Sequence, residues 1–230
     1  MASPTSSQST EPPSFAEILA DPTILVKVGP DAHEYHIHPR LLKYSSGYFS
    51  GALSSPVFKE AEGGVVPLSD IDPNHFNGFV SWLYNGNTEE VGSPLDLIHW
   101  YVVADRLLVP RMKNEVFDQL YEVHQKDPPL YEGVTFAFDN LPETDPLLKL
   151  LVDSHCINWT GPEIDKKYET ASSIADLPAS FLYRVMVETF RIKQESPPKE
   201  FPPQSKYTVE SASLSTPPSS LLSSFINAPT

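Results

Sequence analysis

The stretch over residues 36–53 constrains the fold of this chain more than any other part of the sequence. It reads H-I-H-P-R-L-L-K-Y-S-S-G-Y-F-S-G-A-L. Pro39 must end the strand pattern that leads into the stretch, because proline has no backbone N–H to give to a sheet ladder. Beyond Pro39 the apolar residues recur at helical spacing and are divided near Ser45-Ser46-Gly47. The stretch therefore predicts a strand that turns at once into two short helices.

Two segments around the start of this stretch alternate apolar and polar residues with a period of two, which is typical of β-strands. They span residues 23–29 and 34–38, and the turn-forming residues Gly29-Pro30-Asp31 lie between them. Together they predict a β-hairpin. Residues 65–68 predict a short third strand.

A series of helices is predicted after the third strand. Three positions place a capping residue directly ahead of a proline, which favours a helix start: Asp72-Pro73, Ser93-Pro94 and Asp145-Pro146. Pro110 opens a further helix. Residues 178–192 predict a last helix, whose apolar residues include Phe181, Leu182, Val185, Met186 and Phe190. Residues 126–142 read as less regular and residues 160–176 as a polar loop, so the whole pattern predicts an α+β fold.

The charge of the chain argues against two classes of partner. It carries 30 acidic and 16 basic residues, a formal net charge of −14. A chain this acidic, without a stripe of Lys and Arg, repels phosphate backbones and anionic lipids. We therefore expect no nucleic acid and no membrane among its partners.

Cysteine usage and the chain ends indicate the compartment. Cys156 is the only cysteine, so no internal disulfide can form, which fits a reducing compartment. The first residues show neither the basic nor the apolar region of a secretory signal. We expect a soluble protein of the cytoplasm or nucleus.

Proline and serine mark two segments that we predict to be disordered tails. There are 24 Pro against 10 Gly, and many of the Pro residues lie near the ends. Residues 1–14 form the first tail, and the Pro/Ser-rich residues 193–230 form the second. The second contains Ser196-Pro197 and Thr216-Pro217, which have the composition of phosphorylation sites.

Histidine and serine motifs are the candidates for a metal site or a catalytic site. His33, His36 and His38 cluster, and two of them would share a strand face, but the sequence places no third metal ligand beside them. We expect His38 to pack at the strand–helix junction and to hydrogen-bond the backbone. The glycines around Ser50 lack the spacing of a nucleophile elbow. We therefore predict a protein that is not an enzyme and holds no cofactor or metal.

The residues at the centre of the chain carry a family resemblance. His38, Leu42, Ser46 and Phe49 stand at the spacing found in the BTB/POZ domain, and the sequence is similar to that family. Further matches are Asp21 ahead of the first strand, the third strand over residues 65–68, and a helix that ends in Tyr84 and Gly86. The resemblance covers residues 15–125 and implies the BTB/POZ fold, a short mixed sheet with a hairpin packed on a cluster of helices. Residues 126–192 would be a helical C-terminal extension, similar in style to small fungal-type BTB proteins.

The resemblance implies a module for protein–protein interaction. It implies homo-oligomerisation, or work as a substrate adaptor of a cullin-type ubiquitin ligase. The adaptor function needs a hydrophobic residue and a Glu two positions later in the loop after the second helix, and Phe58 and Glu60 stand there. The alternative for Phe58 is that it folds back onto the core.

Dimerisation has its own candidates. Phe15, Ile18 and Leu19 form one face of a short N-terminal helix, where transcription-factor members of the family carry a longer helix that swaps across the dimer. The partners expected are thus other proteins, with a homodimer and a cullin scaffold as the specific possibilities. The alternative function is that of a dimerising transcriptional or nuclear regulatory partner.

Overall fold

The computed structural model describes residues 14–54, 65–88, 92–162, 169–194 and 200–207. The described chain falls into two compact units. The first comprises the described residues of Met1–Gly86 together with Leu107–Val109. The second comprises those of Asn87–Arg106 and Pro110–Ala212.

The first unit combines three strands with short helices. Its elements in chain order are α1 (Phe15–Ala20), β1 (Ile24–Val28), β2 (His33–Ile37), α2 (Pro39–Ser45), α3 (Gly47–Ala52), β3 (Val65–Leu68) and α4 (Pro73–Asn85). The sheet has the order β2-β1-β3. Strand β1 pairs antiparallel with β2 and parallel with β3. The predicted short mixed sheet with its hairpin is therefore confirmed.

The central strand β1 anchors the core of this unit. Its residues Val26 and Val28 are fully buried, and Val26 pairs with Val66 of β3, which is also fully buried. Gly29 ends the strand at φ 77°, where a Cβ would lie 3.0 Å from the Cδ of Pro73. Glycine suits this turn because it alone tolerates both the positive φ and the close approach.

The second unit is helical. Its elements are α5 (Pro94–Arg106), α6 (Pro110–His124), α7 (Tyr131–Asn140), α8 (Pro146–Asn158), α9 (Ala171–Ala175), α10 (Ala179–Gln194) and a 3₁₀ turn (Gln204–Tyr207). Helix α8 is buried on most of its surface, because four of its leucines are 1% exposed or less. The predicted helical C-terminal extension is confirmed.

Two helices lie where the sequence analysis expected irregular structure. Helix α7 occupies residues expected to be less regular, and α9 lies within the expected polar loop. Gly133 and the β-branched residues of α7 weaken its helical pattern. The structure explains the glycine, because a Cβ there would lie 2.6 Å from the Cδ1 of Ile98. Packing of α7 against α5 thus overrides its weak intrinsic propensity.

A partly buried ionic cluster joins three helices of the second unit. The Nζ of Lys113 lies 2.6 Å from the Oδ1 of Asp105 and 2.8 Å from the Oδ2 of Asp145. The Tyr101 hydroxyl donates to the Oδ1 of Asp145 over 2.9 Å. Burial, followed by the charge of Asp145, raises the pKa of Tyr101, so this hydroxyl stays protonated and remains a donor. Asp145 also caps α8, because its Oδ1 accepts from the Leu147 N–H over 2.9 Å.

Part of the predicted C-terminal tail is ordered. Tyr207 is buried and donates from its hydroxyl to the Oδ2 of Asp153 on α8 over 2.9 Å. The Tyr121 hydroxyl of α6 donates to the Pro202 carbonyl over 3.1 Å. For residues 200–207 the expectation of disorder is therefore wrong. The Pro/Ser-rich composition gave no signal for these two contacts, which Pro202 and Tyr207 make with the helices.

One buried histidine makes the second unit sensitive to acid. His124 ends α6, and its Nδ1 lies 3.4 Å from the Asp127 carbonyl oxygen. Its Nε2 has no hydrogen-bond partner among the described residues. Burial lowers the pKa of His124 to about 4, because the protonated ring would lose its hydration. The folded chain therefore holds this ring neutral.

We expect the free energy of unfolding to fall as the pH drops from 6.5 to 4. In that range the unfolded state binds a proton at His124 that the folded state does not. Between pH 7 and pH 4.5 we expect the free energy of unfolding to fall by roughly 2–3 kcal/mol, and urea denaturation at each pH measures this loss. The variant His124→Leu should lose that much less than the wild-type chain over the same range. Equal losses in the two proteins would contradict the assignment.

Candidate protein-interaction surface

His38 and Tyr84, both residues of the family motif, contact each other. His38 directly precedes α2, and its Nδ1 lies 2.9 Å from the Tyr84 hydroxyl oxygen. The same hydroxyl oxygen accepts from the His38 backbone N–H over 3.3 Å. The ring of His38 thus bonds a side chain and not the backbone, which corrects the expectation. This contact ties the end of β2 to α4.

Ser46 supplies a second structural contact. Its buried hydroxyl accepts from the Phe49 N–H over 3.2 Å and so caps α3. The same hydroxyl donates to the Leu107 carbonyl over 2.5 Å. The Gly47 N–H donates to the Leu108 carbonyl over 2.9 Å. Residues 107–109 are thereby held against the start of α3.

The other motif residues also serve the fold. Leu42 and Phe49 are fully buried, and Gly86 ends α4 in the left-handed conformation at φ 75°. Asp21 forms a two-pronged ion pair with Arg40, at 2.8 Å and 3.2 Å. The hydrogen bonds from Arg40 lower the pKa of Asp21. These motif residues therefore stabilise the fold.

The predicted interaction residues of α1 fall into three cases. Ser14 caps this helix in a capping box with Glu17. Ile18, predicted to contact a partner, is only 7% exposed and packs within the chain, so it offers little surface for such a contact. Leu19 is 57% exposed and stays a candidate, and the side chain of Phe15 lies outside the described part of the structure.

Phe58 and Glu60 lie outside the described residues, since the structure describes nothing between residues 54 and 65. Their proposed contact with a cullin, and the alternative that Phe58 folds onto the core, both stay predictions.

Among the described residues of the second unit, the most exposed apolar surface lies on α10, and the sequence analysis missed it. Five large side chains on this helix are 47% to 66% exposed. They follow the pattern i, i+1, i+4, i+5, i+8, which places them along one side of the helix. We call them the α10 stripe: Leu182, Tyr183, Met186, Val187 and Phe190.

The opposite side of α10 packs inside the second unit. Phe181 is fully buried and belongs to a core cluster with Val134 and Val152, against which Val185 packs. The guanidinium of Arg184 lies 5.4 Å from the ring centre of Phe138. Helix α10 thus has two apolar sides, and only one of them is covered by described residues.

The sequence analysis named apolar residues of both sides without dividing them into a buried and an exposed set. In the structure Phe181 is buried, whereas Leu182, Met186 and Phe190 are exposed. The available signal was the additional apolar pair Tyr183 and Val187. With them the apolar residues span much more than the arc that a helix buries on one side.

The α10 stripe carries no charge. The charged residues between its ends are half-buried beside it, and each has a partner. Arg184 donates to the Glu143 carbonyl over 2.9 Å, and Glu188 pairs with Arg191. An uncharged apolar surface of this extent costs free energy in water, and such patches typically mark interaction sites.

Metal binding and membrane spanning are two other kinds of function that the described residues bear on. Within the described ranges, no group of three His, Cys, Asp or Glu side chains is placed to hold a metal ion. Among the same residues, no helix is both long and apolar enough to cross a bilayer.

Comparison with known families identifies one domain. Residues 13–123 match the family model of the BTB/POZ domain, so this domain is confirmed over nearly the whole range of the resemblance. No curated protein matches the chain. The narrower likeness to small fungal-type BTB proteins stays a prediction.

We expect Ser46→Ala to destabilise the chain by about 1–3 kcal/mol, because α3 would lose its cap and the buried Leu107 carbonyl would lose one of its donors, keeping the Tyr48 N–H at 3.3 Å. Urea denaturation measures this loss. Ser54→Ala, at an exposed position soon after α3, is the matched control and should change stability by about 0.5 kcal/mol or less. A Ser46→Ala variant as stable as the control would contradict the structural role.

On α10, the double variant Met186→Gln, Phe190→Gln should change stability by about 0.5 kcal/mol or less at low protein concentration, because both side chains are exposed. Phe181→Ala on the buried side should cost about 3–5 kcal/mol. Thermal or urea unfolding measures both. The double variant should also bind less of a fluorescent probe for apolar surface. A large loss of stability in the double variant would show that the stripe belongs to the core.

Proposed function

We propose that this chain, which carries a BTB/POZ domain, acts as a non-catalytic scaffold or as a substrate adaptor for a cullin-type ubiquitin ligase. BTB/POZ domains generally mediate protein–protein interaction. The observation that supports such a function best is the α10 stripe, which offers a partner five large apolar side chains and no charge to desolvate.

The placement of polar side chains supports a non-catalytic role. Two reactive groups among the described residues serve structural contacts: Lys113 is held between two carboxylates, and His38 bonds Tyr84. A general base or nucleophile needs a free direction toward a substrate. Side chains committed to internal partners do not offer one.

The adaptor function depends on Phe58 and Glu60. An aromatic side chain that fills a groove supplies most of the affinity of a small interface, and a neighbouring carboxylate adds electrostatic selectivity toward a basic surface. These two residues stand at the spacing that the family uses for this contact. The support for this part of the proposal is the sequence alone.

The adaptor proposal is tested by a pulldown with the BTB-specific cullin. We expect the wild-type chain to bind, and Phe58→Ala and Glu60→Ala each to weaken binding at least about tenfold through loss of the anchor or the charge. Lys59→Ala, at the position between them, is the matched control and should bind like the wild type. Failure of the wild-type chain to bind would contradict the adaptor proposal and leave the scaffold proposal standing.

The second candidate function is that of a dimerising transcriptional or nuclear regulatory partner. The α10 stripe supports this function if it binds a second copy of the chain. The oligomeric state of the full chain separates this function from that of a monomeric adaptor.

A further inference from the structure

We propose that the α10 stripe binds the α10 stripe of a second copy of this chain, with the two helices antiparallel across a two-fold axis near Met186. The inference rests on the proposed function, because it names the partner of the docking surface assigned there. It concerns a contact of α10, within the second unit, and not a contact of α1.

The area of the stripe is adequate for a weak dimer. Five large side chains that are 47% to 66% exposed present on the order of 600 Å² of surface. Two copies would bury roughly 1,200 Å² in total, the lower limit of a specific interface. An interface of that size predicts dissociation in the micromolar range.

The arrangement of the stripe suits an identical partner. Leu182, Met186 and Phe190 form one row at a spacing of four residues, and Tyr183 and Val187 form a second row beside it. Rows of this spacing on two helices interdigitate in the commonest packing of globular proteins. The stripe is centred on Met186, so a two-fold axis there opposes Leu182 of one copy to Phe190 of the other.

The lack of charge on the stripe suits a copy of the chain better than an acidic or basic partner. The charges near its ends favour an antiparallel arrangement of the two helices. The stripe has no charge between its ends, so two copies bring no like charges together at their contact. Lys193 is exposed just beyond the stripe, and an antiparallel pair keeps the two lysines at opposite ends. The antiparallel arrangement also places opposite ends of the helix dipoles side by side.

Two other occupants are possible in chemical terms and are decided by experiment. One is an apolar helix of a different protein. The other is the end of this chain, where Leu221, Leu222, Phe225 and Ile226 repeat part of the stripe's spacing. A copy of the chain is the occupant that presents the same two rows of exposed apolar side chains and no charge between their ends.

Sedimentation equilibrium of the full chain, from low to high micromolar concentration, tests the proposal. We expect a reversible dimer that tightens with added salt, because salt screens the repulsion between two chains of net charge −14. Met186→Glu should raise the dissociation constant about 100-fold or more, since two carboxylates would be buried against each other. Gln194→Glu, at an exposed position of the same helix outside the stripe, should change it little.

Two variants locate the contact directly. In a two-fold pair Met186→Cys places the new thiols near each other, so we expect it to form a disulfide between copies, whereas Gln194→Cys should not. Both variants retain Cys156, which therefore serves as a common background. Leu19→Glu tests α1 as the dimer contact and should leave the dissociation constant unchanged.

Three results would overturn the inference: a wild-type chain that stays monomeric at high micromolar concentration, a dimer that Leu19→Glu abolishes, or one that survives Met186→Glu in a folded variant. A monomer that dimerises once residues 208–230 are removed would also overturn it and assign the stripe to the chain's own end. The cullin pulldown depends on Phe58 and Glu60, so the proposed function can stand where this inference fails.

Discussion

Buried polar groups need hydrogen-bond partners, and this requirement fixes how distant segments of the chain are joined. In the first unit the Ser46 hydroxyl satisfies the Leu107 carbonyl and at the same time starts α3. In the second unit Lys113 lies between Asp105 and Asp145 and so joins α5, α6 and the cap of α8. Removing one partner of such a contact costs stability, because the group that remains then has fewer hydrogen bonds in a place that water reaches poorly.

The same requirement explains why the binding surface that we propose is apolar. Histidine and lysine carry out catalysis in many proteins, but here they stabilise the fold. His38 makes a contact within the BTB/POZ domain, and Lys113 joins the domain to the helices after it. The surface that we propose for a partner is therefore apolar. Helix α10 has more apolar residues than one packed side can cover, and the excess forms the uncharged α10 stripe.

Local patterns predicted the elements whose signals lie close together in sequence. The alternation of β1 and β2, and the caps at Asp72 and Asp145, needed only neighbouring residues, and the structure shows both caps bonded to their helices. The contact of His38 with Tyr84 joins residues 46 positions apart, so no local pattern could reveal it. The exposure of the α10 stripe depends on which side α8 covers, which spacing alone does not determine.

The central claim, that the α10 stripe is covered by a second copy, is tested most directly by methyl NMR of the methionines. The chain has three Met, and Met112 is fully buried whereas Met186 lies in the stripe. With rising protein concentration, the Met186 methyl signal should shift and lose its relaxation by a soluble paramagnetic agent, while the Met112 signal stays unchanged. A Met186 methyl that remains equally accessible at every concentration would contradict the claim.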